Sequence, residues 1–189
     1  MGVCDGVEHL DVVVKKAPVC TEVWRRSKLA GVTSALRAVS PSMTDVRPLA
    51  STDVERVASV LGLARLHQGD GFYLVAWEGN EALGHAHLAL TDPPELQDVE
   101  VRPAYRRRGI ASALTARAEE EARSRGFDRL RLGVGIENAQ AQALYRGCGF
   151  VDAGLPPKHV TGTIEISTGP IEVDDTILVW EKRFNDDAR

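Results

Sequence analysis

Between Glu95 and Ile136 the sequence allows few topologies. "ELQDVEVRP" reads as a strand that Pro103 ends, because proline cannot continue a hydrogen-bonded ladder. "GIASALTARAEEEARSRG" follows at once as a helix, with Gly126 placed to terminate it at the C′ position. "DRLRLGVGI" is a second strand, in which Leu130, Leu132 and Val134 face one way. A strand, a helix and a strand in that order imply a parallel pair joined by a right-handed crossover.

The flanking segments enlarge this unit. "DVRPL" is a short strand, and the spacing of Val54, Val57, Val60 or Leu61, and Ala64 predicts a helix over 51–69, capped by Ser51 or Thr52. "FYLVAWEGNEALGHAHLALTD" reads as a hairpin that turns at "EGNE". Downstream, "ENAQAQALYRGCG" is a short helix, "FVDAG" a strand, and residues 159–184 two more strands around "STGP". The order implies an α+β fold with a mixed sheet. No internal repeat or low-complexity linker interrupts it.

Composition sets the outer limits. The 189 residues fit one domain with a tail, and 43% apolar content supports a full core. Residues 1–42 hold six Lys or Arg against four acids, and their short strand-like and helix-like stretches make no convincing amphipathic unit. The expectation is a poorly ordered extension over 1–42 and one domain over 43–189, with a translation start at Met43 as the alternative. A net charge of −4 excludes a general nucleic-acid binder, which needs a broad basic face. Cys4, Cys20 and Cys148 share no repeated spacing, so neither a disulfide framework nor a zinc site is expected. Reduced thiols and a cytoplasmic location follow, and Cys148, between two glycines, reads as a small packing residue. No apolar run approaches the ~18 residues of a membrane span.

Against that acidic background, Arg106, Arg107 and Arg108 stop at Gly109, where the helix begins. A helix start exposes unpaired N–H groups and partial positive charge, so it is an anion site by itself. Cations there weaken the helix unless an anion joins them. Gly109 lets an anion approach the backbone, and Ala111 keeps the first turn small. The segment is therefore either a solvated basic turn or a phosphate grip. It is not a Walker loop or a dinucleotide fingerprint, whose glycine spacings are absent.

Beyond the 27 residues that follow Gly109 comes "ENAQAQALYRGCGF", in which Asn138 is a good N-cap and Tyr145, seven residues on, shares its helix face. Alone, Tyr145 reads first as a core residue with its hydroxyl at the surface. Together, "VEVRPAYRRRGIASAL" and "LRLGVGIENAQAQALYRGCGF" resemble the GNAT superfamily of acyl-CoA-dependent N-acyltransferases. Its pyrophosphate loop, [QR]-x-x-G-x-[GA], is matched by Arg106, Gly109 and Ala111. Its later motif is matched by Asn138, Ala141, Leu144, Tyr145, Gly149 and Phe150. The resemblance covers about Met43 to Phe184.

The resemblance implies a GNAT fold, with a mixed, mostly antiparallel sheet of six to seven strands flanked by helices, and acetyl transfer from acetyl-CoA to a primary amine of a small molecule or peptide, with no metal. A homodimer is compatible with it, and a non-catalytic CoA-binding sensor is the alternative. It implies that the amides of Arg106, Arg107, Arg108, Gly109, Ile110 and Ala111 hold the CoA pyrophosphate. Val99 and Val101 bind the pantetheine arm and polarise the thioester, Asn138 lies beside that arm, and Tyr145 protonates the departing thiolate. A base often comes from this strand: Glu95 matches a position used by some members, and Glu100 is the second candidate. Plain alternation puts Glu95, Gln97, Val99 and Val101 on one face, and a bulge of the kind common in this family would swap that parity. His85 and His87 share one face of their strand, as packed histidines or as aids to amine deprotonation. Their H-x-H pair has no third ligand for a metal. Acids near the cleft (Glu95, Asp98, Glu100, Asp174, Asp175) favour a cationic amine, "GPIEVDD" is a candidate acceptor-side lid loop, and Trp180 packs the sheet.

Overall fold

The computed structural model describes residues 44–66, 68–166 and 168–184. The extension expected over 1–42, with Cys4 and Cys20, lies outside the described residues. The elements are β1 (Asp45–Pro48), α1 (Val54–Ala58), β2 (Gly71–Glu78), β3 (Glu81–Ala89), β4 (Glu95–Val101), α2 (Ile110–Ser124), β5 (Arg129–Gly135), α3 (Ala139–Gly147), β6 (Val151–Asp152), β7 (Lys158–Ile166) and β8 (Gly169–Arg183). The strands join in the order β1-β2-β3-β4-β5-β8-β6, with β7 on β8. Every described pairing is antiparallel except β4 with β5, the crossover pair. The expected mixed sheet is therefore present. It has eight strands, as the segments read from the sequence number, rather than the six to seven that the resemblance implies, and the "FVDAG" segment contributes the two-residue β6 opposite Trp180 and Glu181.

Two cores sit on opposite faces of the sheet. In α2, Ile110, Leu114, Ala118 and Ala122 recur every fourth residue and are buried against Leu74, Ala76, Leu88 and Leu96. That core extends under α3 through Tyr145 and Phe150 to Trp180, which packs as expected. On the other face Val57, Leu61 and Leu63 cover Tyr73, Val75 and Trp77. Strand β2 thus feeds both cores by alternation, which is why its sequence is apolar throughout. Helix α2 ends as expected, with Gly126 at φ +84° just beyond its C-cap Arg125. Gly79, at φ +59°, makes the β2–β3 turn.

The helix expected over 51–69 is much shorter. Ser51–Asp53 is a 3-10 turn, α1 has five residues, and neither Ser51 nor Thr52 caps it. Leu61 and Leu63, two residues apart, are both buried in one core, which helical spacing does not permit. Of the alternatives Val60 and Leu61, Leu61 takes the buried position and Val60 is 49% exposed. Beyond Gly62 two backbone donors turn to side chains instead of helical carbonyls. The Ala64 N–H donates to the Asp98 carboxylate and the Arg65 N–H to the Tyr73 hydroxyl. Among the described residues no helix is long and apolar enough to cross a membrane.

Candidate functional site

Strands β4 and β5 are in register only at Glu95–Arg131 and Leu96–Leu132. Beyond those pairs β4 stays with β3 and β5 stays with β8, so the sheet opens into a wedge. The β4 side of the wedge carries a bulge. His87 pairs with Gln97 and His85 with Glu100, so Ala86 faces both Asp98 and Val99. Asp98 accommodates the extra residue at φ +47°, a left-handed conformation that costs an aspartate roughly 1–3 kcal/mol unless its surroundings enforce it. The bulge swaps the parity of the strand. Leu96, Val99 and Val101 pack toward the core under α2, while Glu95, Gln97, Asp98 and Glu100 share the opposite face. Plain alternation, which separates Glu95 from Glu100, is corrected here.

The chain then enters α2 through a 3-10 turn at Pro103–Tyr105. Arg107 (φ +63°) and Gly109 (φ +78°) both turn left-handed immediately before the helix. No side chain caps α2, and a Cβ built on Gly109 would meet nothing within 4 Å. Space and unpaired amide groups therefore coincide at this helix end. The arginine side chains are turned elsewhere. Arg106 Nε donates to the Val101 carbonyl at 3.0 Å, and Arg108 donates to Glu78 at 2.8 Å while lying over the Tyr105 ring. Ile110 is buried and Ala111 packs at the core edge, which fixes the first turn of the helix.

Helix α3 closes the far side. Asn138 caps it, accepting the Ala141 N–H at 3.1 Å. Gln142 Nε2 donates to the carbonyls of Gly135 (3.0 Å) and Ile136 (2.9 Å), tying α3 to the end of β5. The Tyr145 ring is buried edge-on to Phe150, with centroids 6.0 Å apart. Burial first, and the neighbouring Cys148 second, push its hydroxyl well above the ordinary tyrosine range. Burial likewise raises the Cys148 thiol, which lies beside Ser112 in the first turn of α2. The start of α2 and the end of α3 thus meet.

The face opposite α2 holds a buried polar network. Asp98 Oδ2 accepts from the Tyr73 hydroxyl (2.7 Å) and the Ala64 N–H (2.9 Å), and His85 Nε2 lies 3.3 Å away, too poorly aligned for a formed hydrogen bond. Burial alone would raise the Asp98 carboxyl. The His85 ring, then the Ala64 and Tyr73 donors, outweigh it and hold the group below its usual range. His87 Nε2 lies 3.5 Å from Asp70, and burial lowers the imidazole's basicity. At the strand's start Glu95 accepts from Gln97 Nε2 at 2.8 Å; burial raises its carboxyl, partly offset by Gln97 and Arg131. Among the described residues no three metal-ligating side chains converge.

The Acetyltransferase (GNAT) family model matches residues 39–150, a span that contains the wedge, the α2 start and α3. The chain belongs to the GNAT acetyltransferase family. Mycothiol acetyltransferase of Beutenbergia cavernae is 46% identical over 65 residues, which are 34% of this chain and 22% of that protein. An uncharacterized N-acetyltransferase of Bacillus subtilis, YsnE, is 32% identical over 110 residues, 53% of this chain and 73% of it. The chain thus spans about a fifth of the first relative's length and under three quarters of the second's. The crystal structure of a Bacillus subtilis acetyltransferase in complex with CoA has the same fold, with a TM-score of 0.57 at 20% identity over 75% of this chain and 99% of that one.

Within this GNAT fold, Val99, Val101, Arg106 to Ala111, Asn138 and Tyr145 border the β4–β5 wedge and the junction of α2 with α3. Glu95 and Glu100 lie on the opposite face of β4, beside His85 and His87, which are fully buried. The "GPIEVDD" segment is not a lid loop. It opens β8 and pairs residue for residue with β7, because Ile171 and Val173 alternate and meet Ile164 and Gly162. Asp174 is exposed on this ribbon, whereas Asp175 is turned against Gly135. The sequence reading missed the joint part played by Tyr73, Asp98 and the 61–66 loop. The signal in the sequence is partial: Tyr73 lies among apolar neighbours, on a strand that pairs with the same third strand as the one carrying Asp98.

Proposed function

We propose that this chain is an N-acetyltransferase that moves an acetyl group from acetyl-CoA to a primary amine of a small molecule or peptide, by direct attack with both substrates bound. The observation that carries the reading is the β4–β5 wedge opening beside an α2 N-terminus that no side chain caps. A relative of the same fold crystallised with CoA supports it. Bound acetyl-CoA supplies an activated acyl carbonyl and a thiol leaving group.

The amides from Arg106 to Ala111 receive the pyrophosphate, whose charge removes the conflict between the arginine run and the positive helix end. The backbone of Val99 and Val101 holds the pantetheine, and the Val99 N–H donates to the thioester oxygen as charge gathers on it. Asn138 lines the arm. Tyr145 is kept neutral by burial and so holds a proton for the leaving sulfur. Glu95, made more basic by burial, takes the amine proton, and Glu100 on the same face is the second candidate. As the N–C bond forms and the C–S bond breaks, the amine proton passes to the carboxylate and the phenolic proton to sulfur. The carboxylates of this face favour a cationic amine.

The test is a screen of amines with thiol release as the readout. Release of one thiol per N-acetylated product, dependent on both acetyl-CoA and a particular amine, is expected. Acetyl-CoA binding with no turnover across a broad panel would instead identify a CoA-binding sensor.

A further inference from the structure

Asp98 moves no proton in the chemistry above, yet it is the left-handed residue on which the β4 bulge turns. A two-against-one bulge needs something to hold it. The β3 ladder brackets the bulge without pairing it, because no residue of β3 or β5 is in register with Asp98 or Val99. The hold comes from the Asp98 side chain. Its Oδ2 takes the Tyr73 hydroxyl from β2 and the Ala64 N–H from the loop after α1, with His85 of β3 against the same atom. Tyr73 is itself fixed, since its oxygen also accepts the Arg65 N–H at 2.7 Å. Asp98, Tyr73 and His85 are each 5% exposed or less, so water does not compete.

The peptide unit between Asp98 and Val99 carries the Val99 N–H. Fixing the Asp98 side chain and its backbone angle therefore fixes the direction of that N–H. We propose that Asp98, locked by Tyr73 and the Ala64 amide, is a positioning residue that aims the Val99 N–H at the thioester oxygen. The inference rests on the reading of Val99 as the carbonyl donor. A donor aimed before reaction stabilises developing charge without reorganisation, and small misplacements cost rate rather than binding.

The test uses the full chain labelled with 15N, as wild type, Tyr73→Phe and Asp98→Asn, with melting curves to establish folding. Tyr73→Phe removes one oxygen atom and keeps the ring, so it serves if Asp98→Asn does not fold. In wild type the Val99 amide proton should move downfield between the CoA and acetyl-CoA complexes. In the variants that difference should shrink and kcat should fall roughly 10–100-fold, with the KM for acetyl-CoA within about twofold. If the wild-type amide does not distinguish acetyl-CoA from CoA, the Val99 reading fails and this inference with it. If it does, while folded variants keep both the shift and the rate, the inference alone is overturned.

Discussion

Tyr145 is buried against Phe150 in the core that also receives the first turn of α2, and burial decides its protonation state. A buried phenol keeps its proton but is a weaker acid than a free one, so it gives that proton only as negative charge gathers on the departing sulfur. Tyr145→Phe keeps the ring and its packing. It should lower kcat by about 100-fold and leave acetyl-CoA affinity by calorimetry unchanged; equal losses in both would mark a purely structural ring. Glu95 is proposed for the opposite task. Its carboxyl is raised by burial, so it stays protonated to a higher pH than a free glutamate near 4.3. A base must be ionised, so the acid limb of kcat/KM should fall above the free-carboxylate range and disappear in Glu95→Gln. A limb unchanged in that variant would move the role to Glu100 or another group.

At the scale of elements, the start of α2 is where helix geometry meets chemistry. Gly109→Glu puts a carboxylate where phosphate is proposed to sit and should abolish acetyl-CoA binding. Gly109→Ala is the control. It carries the same strain at φ +78°, about 1–2 kcal/mol, into open space, so it should lower the melting temperature while retaining measurable affinity. Binding retained by the glutamate variant would place the anion site elsewhere. This element was legible in the sequence because strand, glycine turn and helix are each written locally, as are the Asn138 cap and the Gly126 stop. The short α1 was not. Its apolar residues do recur at helical spacing, but partners distant in sequence, Tyr73 and Asp98, take the backbone donors that a longer helix would use. The bulge was legible only as a family habit; its consequence, Glu95 and Glu100 on one face, needed the register with β3. The β7–β8 ribbon was read as strands, yet its "GPIEVDD" end was assigned to a loop, because glycine, proline and two aspartates mask the alternation of Ile171 and Val173.

At the scale of the whole molecule, the sheet is two halves, β1–β4 and β5–β8, joined at two residue pairs and by the core under α2. The wedge between the halves and the helix end beside it form one continuous groove in the proposed reading: backbone edges for an amide-rich arm, then amide donors for a diphosphate. The ligand's two ends should therefore contribute separately to affinity. The direct measurement is calorimetric titration of the full chain with acetyl-CoA and, in parallel, with S-acetylpantetheine, which keeps the arm and the thioester but lacks the pyrophosphate. Acetyl-CoA should bind one to one, and S-acetylpantetheine at least about tenfold more weakly, a loss of roughly 1.4 kcal/mol or more. Equal affinities, or no heat from acetyl-CoA at high micromolar concentration, would contradict the assignment of the α2 N-terminus as a pyrophosphate grip.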